Sequence, residues 1–500
     1  MCAGAVIPAL AQERPPGGER PRLHNVASRK PSPSPTDNPG LQYRSIGPTI
    51  SGGRVAATAG SERDAMLYYA GAAGGGVFKS TDGGVSWTGV WDKQPFGAIG
   101  ALAIDPKKDD VVWAGTGEAN PRNDVSWGDG IWRSRDGAKT WQHLGLDATS
   151  QIARISIDPV RTDDIVVAAL GNPYIDTPER GVYRTTDGGR SWSKTLYLDP
   201  RTGAADLARD PHDPKVMYAA MWRYRRQPWI MQSGGGRDGL YKSVDAGATW
   251  RRIAGHGFPT APLGRIGIAV APSRHTRVYA VVQSKEGTIW RSDDSGSSWT
   301  RVSTDTMPAQ RPFYFSHLAV DPRNANHVIA VSMYLSESKD AGRTWKHSVT
   351  NVHVDNHALW WSADGKRLLN GNDGGVAISN DAGASWSMPL NLAIGQIYHV
   401  AANNADPYEL CGGFQDNSTW CGPSQSRNGI GVLERDWTAI AGGDGTWAVF
   451  DPRSAEDLDR HAGRRPYGLR SRIATKHRHR ALAARSIYVD ERITGQTLPL

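Results

Sequence analysis

The side chains of this 500-residue chain that could bind or react are gathered in a few polar stretches. The segment GEANPRNDVSWGDG (117–130) offers Glu118, Asn120, Arg122, Asn123 and Asp129 beside Trp127. Carboxylate, amide and guanidinium groups can hydrogen-bond sugar hydroxyls, and an indole gives a sugar ring a flat surface to stack on. The same groups can also satisfy one another, Glu118 with Arg122 and the asparagines with backbone, and both uses stay open. His353, Asp355 and His357 alternate along a predicted strand, a pattern that puts two imidazoles and a carboxylate on one face, as a divalent metal would require. Three alternating positions span about 13 Å, too far for one ion without a bulge, so a hydrogen-bonded strand is the other reading. Asp373 in GNDGG and Asp416 in GGFQDN are further candidates for the same mouth. Arg54, Arg154 and Arg265 each open an apolar strand, from which three guanidiniums could hold an anion or pair with strand-end carboxylates.

These residues must be positioned by short strands, because glycine and tryptophan (57 and 19 residues) are abundant and no long amphipathic helical stretch occurs. One pattern recurs seven times: STDGGVSW, SRDGAKTW, TTDGGRSW, SVDAGATW, SDDSGSSW, SKDAGRTW and SNDAGASW. Its tryptophans, Trp87, Trp141, Trp192, Trp250, Trp299, Trp345 and Trp386, are 54, 51, 58, 49, 46 and 41 residues apart, each interval suited to one four-stranded blade. Asp82, Asp136, Asp187, Asp245, Asp294, Asp340 and Asp381 then have a structural task, accepting backbone N–H bonds in a tight turn. Apolar strands ending in Asp-Pro or Ala-Pro, such as ALAIDP (101–106) and LAVDP (318–322), precede the boxes, and proline stops each of them. The predicted order in a blade is inner strand, turn, second strand, loop, third strand, Asp box, outer strand. The fold class is therefore an all-β propeller: a seven-bladed ring over 41–390 and the start of a second propeller over 391–453, or one larger ring of eight to ten blades.

The ends differ in texture. MCAGAVIPALAQE resembles the remnant of a signal peptide cleaved after Ala11, and 12–40 is a Pro/Arg/Ser-rich leader expected to be disordered. No run is long and apolar enough for a membrane helix, and the signal-peptide pattern leads to the expectation of a secreted or periplasmic protein. Cys411 and Cys421 could pair there or remain thiols. Residues 454–500 carry ten Lys/Arg and five Asp/Glu, which is +5 of the net +8 and leaves +3 for all the rest. That near balance argues against a nucleic-acid partner. The tail holds no box and no tryptophan, so it is either a solvated basic tail or the product of a shifted reading frame, and Trp447–Phe450 should be an open strand edge.

The boxes resemble the BNR or Asp-box repeat of sialidases, sortilin-type luminal domains and xyloglucanase-like glycosyl hydrolases. GTGEANPRND (115–124), HVDNHALWW (353–361), GNDGG (371–375) and GGFQDNSTW (412–420) are similar to stretches of large exported bacterial propellers. The resemblance implies a glycan- or protein/peptide-binding, sortilin-like module, or alternatively a glycoside hydrolase acting on polysaccharide, with no cofactor. Xyloglucanase-like enzymes carry a catalytic carboxylate on the first inner strand, where this chain has Ala56, and Glu118 and Asp444 are the candidate acids that remain. The sialidase Arg-Ile-Pro segment is absent.

Overall fold

The computed structural model describes residues 44–122, 125–347, 351–429 and 431–450, with the backbone course of 458–462 and 481–485. The signal-peptide and leader assignments, and most of the basic tail, lie outside the described residues. Among those described, helix is limited to three-residue 3-10 turns, and the rest is sheet and connection. Six sheets follow one grammar: four antiparallel strands taken in chain order. In the first, Val55–Gly60 pairs with Tyr68–Ala72, then Gly76–Ser80, then Thr88–Gly89. Sheets with inner strands Ile99–Asp105, Ile152–Ile157, Thr202–Arg209, Ile266–Val270 and His317–Val320 follow, the Thr202–Arg209 sheet carrying an added hairpin strand, and a three-stranded sheet begins at Asn356–Trp361. Each inner strand touches the next, and Val55–Gly60 meets Asn356–Trp361 and Leu368–Asn372, so the first sheet packs on the seventh. That closure buries Val55, Tyr68 and Ala70 against Leu369, Val376 and Ile378.

The Asp boxes behave as repeated turns. In one, Thr185 Oγ1 donates to Asp187 Oδ1 at 2.7 Å, and Asp187 accepts the Ser191 N–H at 3.0 Å and the Ser191 hydroxyl at 2.6 Å. Two successive residues take the left-handed conformation, as at Ala246 (φ 59°) and Gly247 (φ 82°), a geometry that favours glycine at the second. In the second and third blades the closing tryptophan reaches the preceding blade, Trp141 Nε1 donating to Val90 O and Trp192 Nε1 to Leu144 O, both at 2.8 Å, whereas Trp299, Trp345 and Trp386 donate to a glycine carbonyl of their own box. Where such a side chain is buried, as Trp299 is, this contributes roughly 4–6 kcal/mol before entropy is subtracted.

Strand direction sorts the loops. Antiparallel order puts the first-to-second turns and the Asp boxes at one end of every sheet, and box backbone bonds to that turn in blade after blade, Gly83 N to Met66 O, Gly137 N to Asp110 O, Gly188 N to Asp163 O. The second-to-third loops and the links between blades lie at the other end. Arg54, the 117–130 loop, Arg265 and Asp373 all fall on that opposite face.

After the seventh sheet comes a four-stranded one, Ile397–Ala402, Glu409–Phe414, Thr419–Pro423 and Thr438–Ala441, with Cys411 paired across it to Cys421 in a disulfide. Gly445–Phe450 opens a further sheet and pairs with Leu458–Ala462, so the edge expected to be open there is occupied. Ala481–Arg485 adds to it in parallel.

Candidate functional site

The site is made at the loop-bearing ends of the inner strands, where bulges change what each side chain faces. Register shifts occur between Val55 and Ala57, between Ala204 and Asp206, and between Asn356 and Ala358. His357 is a bulge residue, and such a position turns its side chain away from the regular alternation. Gly52 (φ +75°) and Gly374 bring two connections into contact here, because a Cβ on Gly52 would lie 2.4 Å from Gly374 O.

At the centre Arg54 joins three parts of the ring. Its Nε donates to Asp373 Oδ1 at 2.9 Å and its Nη1 to Glu118 Oε1 at 3.1 Å, and all three groups are nearly inaccessible. His357 Nε2 donates to the same Asp373 oxygen at 2.6 Å. Burial pushes the His357 imidazole below its usual range, so it is neutral near pH 7. Burial also works to raise the Asp373 carboxyl, but His357 and the Arg54 guanidinium outweigh it and hold Asp373 well below the usual range. Arg54 and Arg122 both lie over the Tyr314 ring, at 5.8 and 5.3 Å.

Asp416 enters this cluster from the eighth sheet. Its backbone N–H donates to Asp444 Oδ1 at 2.7 Å, and Asn417 Nδ2 donates to Asp373 O at 2.9 Å. Burial, then the negative charges of Asp373 and Asp444, push the Asp416 carboxyl up to about 8. The Asp373 Oδ2 is buried with no hydrogen-bond partner, and the Asp373 charge is among the influences that raise Asp416. Two adjacent carboxyls thus have opposite shifts, a proton held on one and a charge on the other.

A second network occupies the other side. Arg154 Nε donates to Asp206 Oδ1 at 2.7 Å and its Nη2 to His317 Nδ1 at 2.8 Å, while Asp206 Oδ2 accepts the Ile268 N–H. Burial, then the nearby Arg154 charge, bring the His317 imidazole down to about 3, so it remains neutral. Arg265, fully buried, donates to Phe313 O, Tyr314 O and Asn120 Oδ1, which links the two networks through the 117–130 loop.

The sequence candidates therefore divide. Arg54, Glu118, His357, Asp373 and Asp416 come together; Arg154 and Arg265 meet around His317; Arg122 lies against Tyr314. The alternative pairing of Glu118 with Arg122 is not formed, because Arg54 reaches Glu118 from the neighbouring sheet. The predicted His353–Asp355–His357 strand starts only at Asn356: His353 Nδ1 turns to Val354 O, and Asp355 takes a left-handed φ of 61°. No three-residue cluster of metal-ligating side chains occurs among the described residues. Asp129 is structural, accepting from Trp132 Nε1 and Thr116. Asn123 lies outside the described residues. Trp127 is 58% exposed, and Ala56 is buried in the first inner strand. Sequence reading missed Asp206, His317 and Tyr314, which belong to no motif; the polar residue inside apolar TGAADLA was the available signal for Asp206.

Beside Arg54 and Glu118 a cavity of about 350 Å³ opens, also lined by Gly74, Gly75, Ser126 and Gln396. It lies between the first sheet, the 117–130 loop and the link into the eighth sheet.

The model of the family Sortilin-Vps10 (Sortilin, neurotensin receptor 3) matches residues 238–370. A xyloglucanase of Paenibacillus sp is 26% identical over 340 residues, 61% of this chain and 32% of that protein. One of Hypocrea jecorina is 25% identical over 303 residues, 52% and 34% respectively. The chain is therefore similar, over part of its length, to the sortilin family and to xyloglucanases, as an Asp-box β-propeller. The propeller spans about a third of the length of these two curated relatives. Among solved structures, an ancestral GH74 enzyme overlays with a TM-score of 0.46 at 16% identity, covering 81% of this propeller chain and 65% of that one. YCF48 bound to D1 peptide gives 0.45 at 16%, covering 68% and 98%.

Proposed function

We propose that this protein recognises polysaccharide, in the manner of the xyloglucanases it resembles, over the face that carries Arg54, Glu118 and Trp127. The observation that carries this reading is the cavity between the first sheet, the 117–130 loop and the 393–396 link, lined by Arg54, Glu118, Ser126 and Gln396, with the exposed Trp127 following Ser126 in the chain. An Arg–Glu pair at the floor gives sugar hydroxyls both a donor and an acceptor, and the indole gives a stacking surface. Titration calorimetry with xyloglucan oligosaccharides tests it. Trp127→Ala should weaken binding by about tenfold with folding unchanged, and absence of binding by the unaltered protein refutes the reading.

A second reading, hydrolysis, is favoured by the opposite shifts of Asp416 and Asp373, since Asp416 is a carboxyl that still carries a proton at neutral pH. Asp373 is committed to Arg54 and His357, so the second carboxyl of a hydrolytic pair would be Asp444 or Glu118. Release of reducing ends from xyloglucan, lost in Asp416→Asn with oligosaccharide binding retained, supports this reading. Equal release by the variant rejects it.

The division into a seven-bladed ring over 41–390 and the start of a second propeller over 391–453 is supported by the contact of the first sheet with the seventh. Export is supported by the Cys411–Cys421 disulfide, since such bonds persist in oxidising compartments. No helix among the described residues is long and apolar enough to cross a membrane.

A further inference from the structure

The fourth blade departs from the repeat on the face that holds the site. Its second strand, Met217–Gln227, has 11 residues where the corresponding strands Ile165–Ala169 and Val278–Val282 have 5. Only Met217–Met221 pairs with the third strand of the blade; Trp222 and Arg223 still pair with the inner strand, and Tyr224–Gln227 runs on beyond the sheet and pairs with Ile230–Ser233. A two-residue turn, Pro228-Trp229, closes this arm.

The base of the arm is firmly held. Trp222 and Tyr224 are fully buried and stacked at 4.4 Å, and Trp222 Nε1 donates to Ser233 Oγ at 3.0 Å. Ser233 Oγ donates to Gln283 Oε1 of the next blade at 2.6 Å, and Arg226 N donates to Pro173 O of the previous one at 2.9 Å. The tip is not covered: Trp229 is 79% exposed and Ile230 47%, with Ile175 at 55% on the loop that the arm leans against. An indole so placed adds nothing to the core.

Charge says what it could meet. Arg201, Arg223, Arg225, Arg226 and Arg237 surround the arm, and Arg201 and Arg225 share the one carboxylate of Asp176. Asp238 is the only acid within 222–238, and burial pushes its carboxyl up to about 6. Arg223 Nε and Arg226 Nε are buried with no hydrogen-bond partner. An uncovered aromatic ring on a base with surplus guanidiniums suits a ligand that offers both a flat apolar ring face and carboxylates.

We propose that this arm is a second carbohydrate-binding element, separate from the cavity at Arg54, and that it takes a uronate-bearing polysaccharide. Trp229 stacks on a sugar ring, while the arginines around it receive the carboxylates. The inference stands independently of the polysaccharide reading of the central cavity.

Affinity electrophoresis of the full chain through gels containing polygalacturonate, neutral xyloglucan or dextran sulfate tests it, with thermal melts to confirm folding. Both substituted positions, Trp229 and Arg237, are exposed. Polygalacturonate should retard the unaltered protein, and Trp229→Ala and Arg237→Ala should each weaken that binding by about tenfold. Trp127→Ala should leave it intact while weakening only the xyloglucan response, so the two sites fail separately. Failure to bind polygalacturonate overturns the proposal. Equal binding of dextran sulfate with no dependence on Trp229 also overturns it, by showing mere attraction between polyelectrolytes.

Discussion

Replacing Arg54 by methionine should destabilise the ring strongly, and by an amount that depends on pH. The guanidinium is almost inaccessible and bonds two carboxylates, Glu118 at 3.1 Å and Asp373 at 2.9 Å, that are equally buried. Removing one member of a buried pair leaves an uncompensated charge and costs about 3–5 kcal/mol. Here two carboxylates are stranded, but each can take up a proton, so about 4 kcal/mol near neutrality is expected. Without the cation, both folded-state carboxyls sit above their unfolded values. Their contribution is favourable below the unfolded range near pH 4 and is lost as pH rises through the folded values. In the parent protein Asp373 is depressed, and its contribution has the opposite sign, present above that range and lost on acidification. The difference between variant and parent should therefore shrink towards acid pH. Urea denaturation followed by tryptophan fluorescence at several pH values measures it, and the double variant Arg54→Met, Glu118→Gln should recover part of the loss. A loss under about 1 kcal/mol, or one independent of pH, would refute the claim that Arg54 neutralises this cluster.

Other substitutions separate scaffold from site. Ser243→Ala removes a buried hydroxyl that donates to Asp245 and accepts the Gly247 N–H, and should destabilise by about 1–2 kcal/mol in thermal melts while leaving oligosaccharide affinity unchanged. Asp416, with its carboxyl raised to about 8, should make stability fall as pH rises from about 4 to 8, and Asp416→Asn should remove that slope in denaturation midpoints across the interval. Reducing the Cys411–Cys421 bond, which closes a loop of 10 residues, should lower the stability of the eighth sheet by about 2–4 kcal/mol; faster hydrogen exchange confined to 409–423 and its neighbours is the check. Circular dichroism should show strand and little helix, and more than about a third helix would contradict the fold.

The scaffold was legible because it repeats. Seven Asp boxes and their tryptophans fix turn, strand order and spacing by local chemistry, so each could be read from eight residues. The site was legible only in its members. Arg54, Glu118, His357, Asp373 and Asp416 could each be marked as unusual, but Arg54 meets Glu118 from 64 residues away and Asp373 from 319, and sequence carries no record of which loops share a mouth. The strand bulge at His357 was also invisible, which is why an alternating metal strand was expected there. Asp206 and His317 were missed because each sits singly in an otherwise apolar inner strand, where no neighbour marks it.

The meeting of the first sheet with the seventh also sets an order of events during folding. Within a sheet, partners are close in sequence and can pair as soon as they are made, whereas Thr58 bonds Leu369 O, 311 residues later. At ordinary translation rates that interval lasts on the order of tens of seconds. For that time the flank of Tyr68 and Ala70 has no partner, and a nascent chain must keep it from other surfaces until 356–379 arrive. Closure of the first sheet on the seventh therefore joins segments made far apart in time.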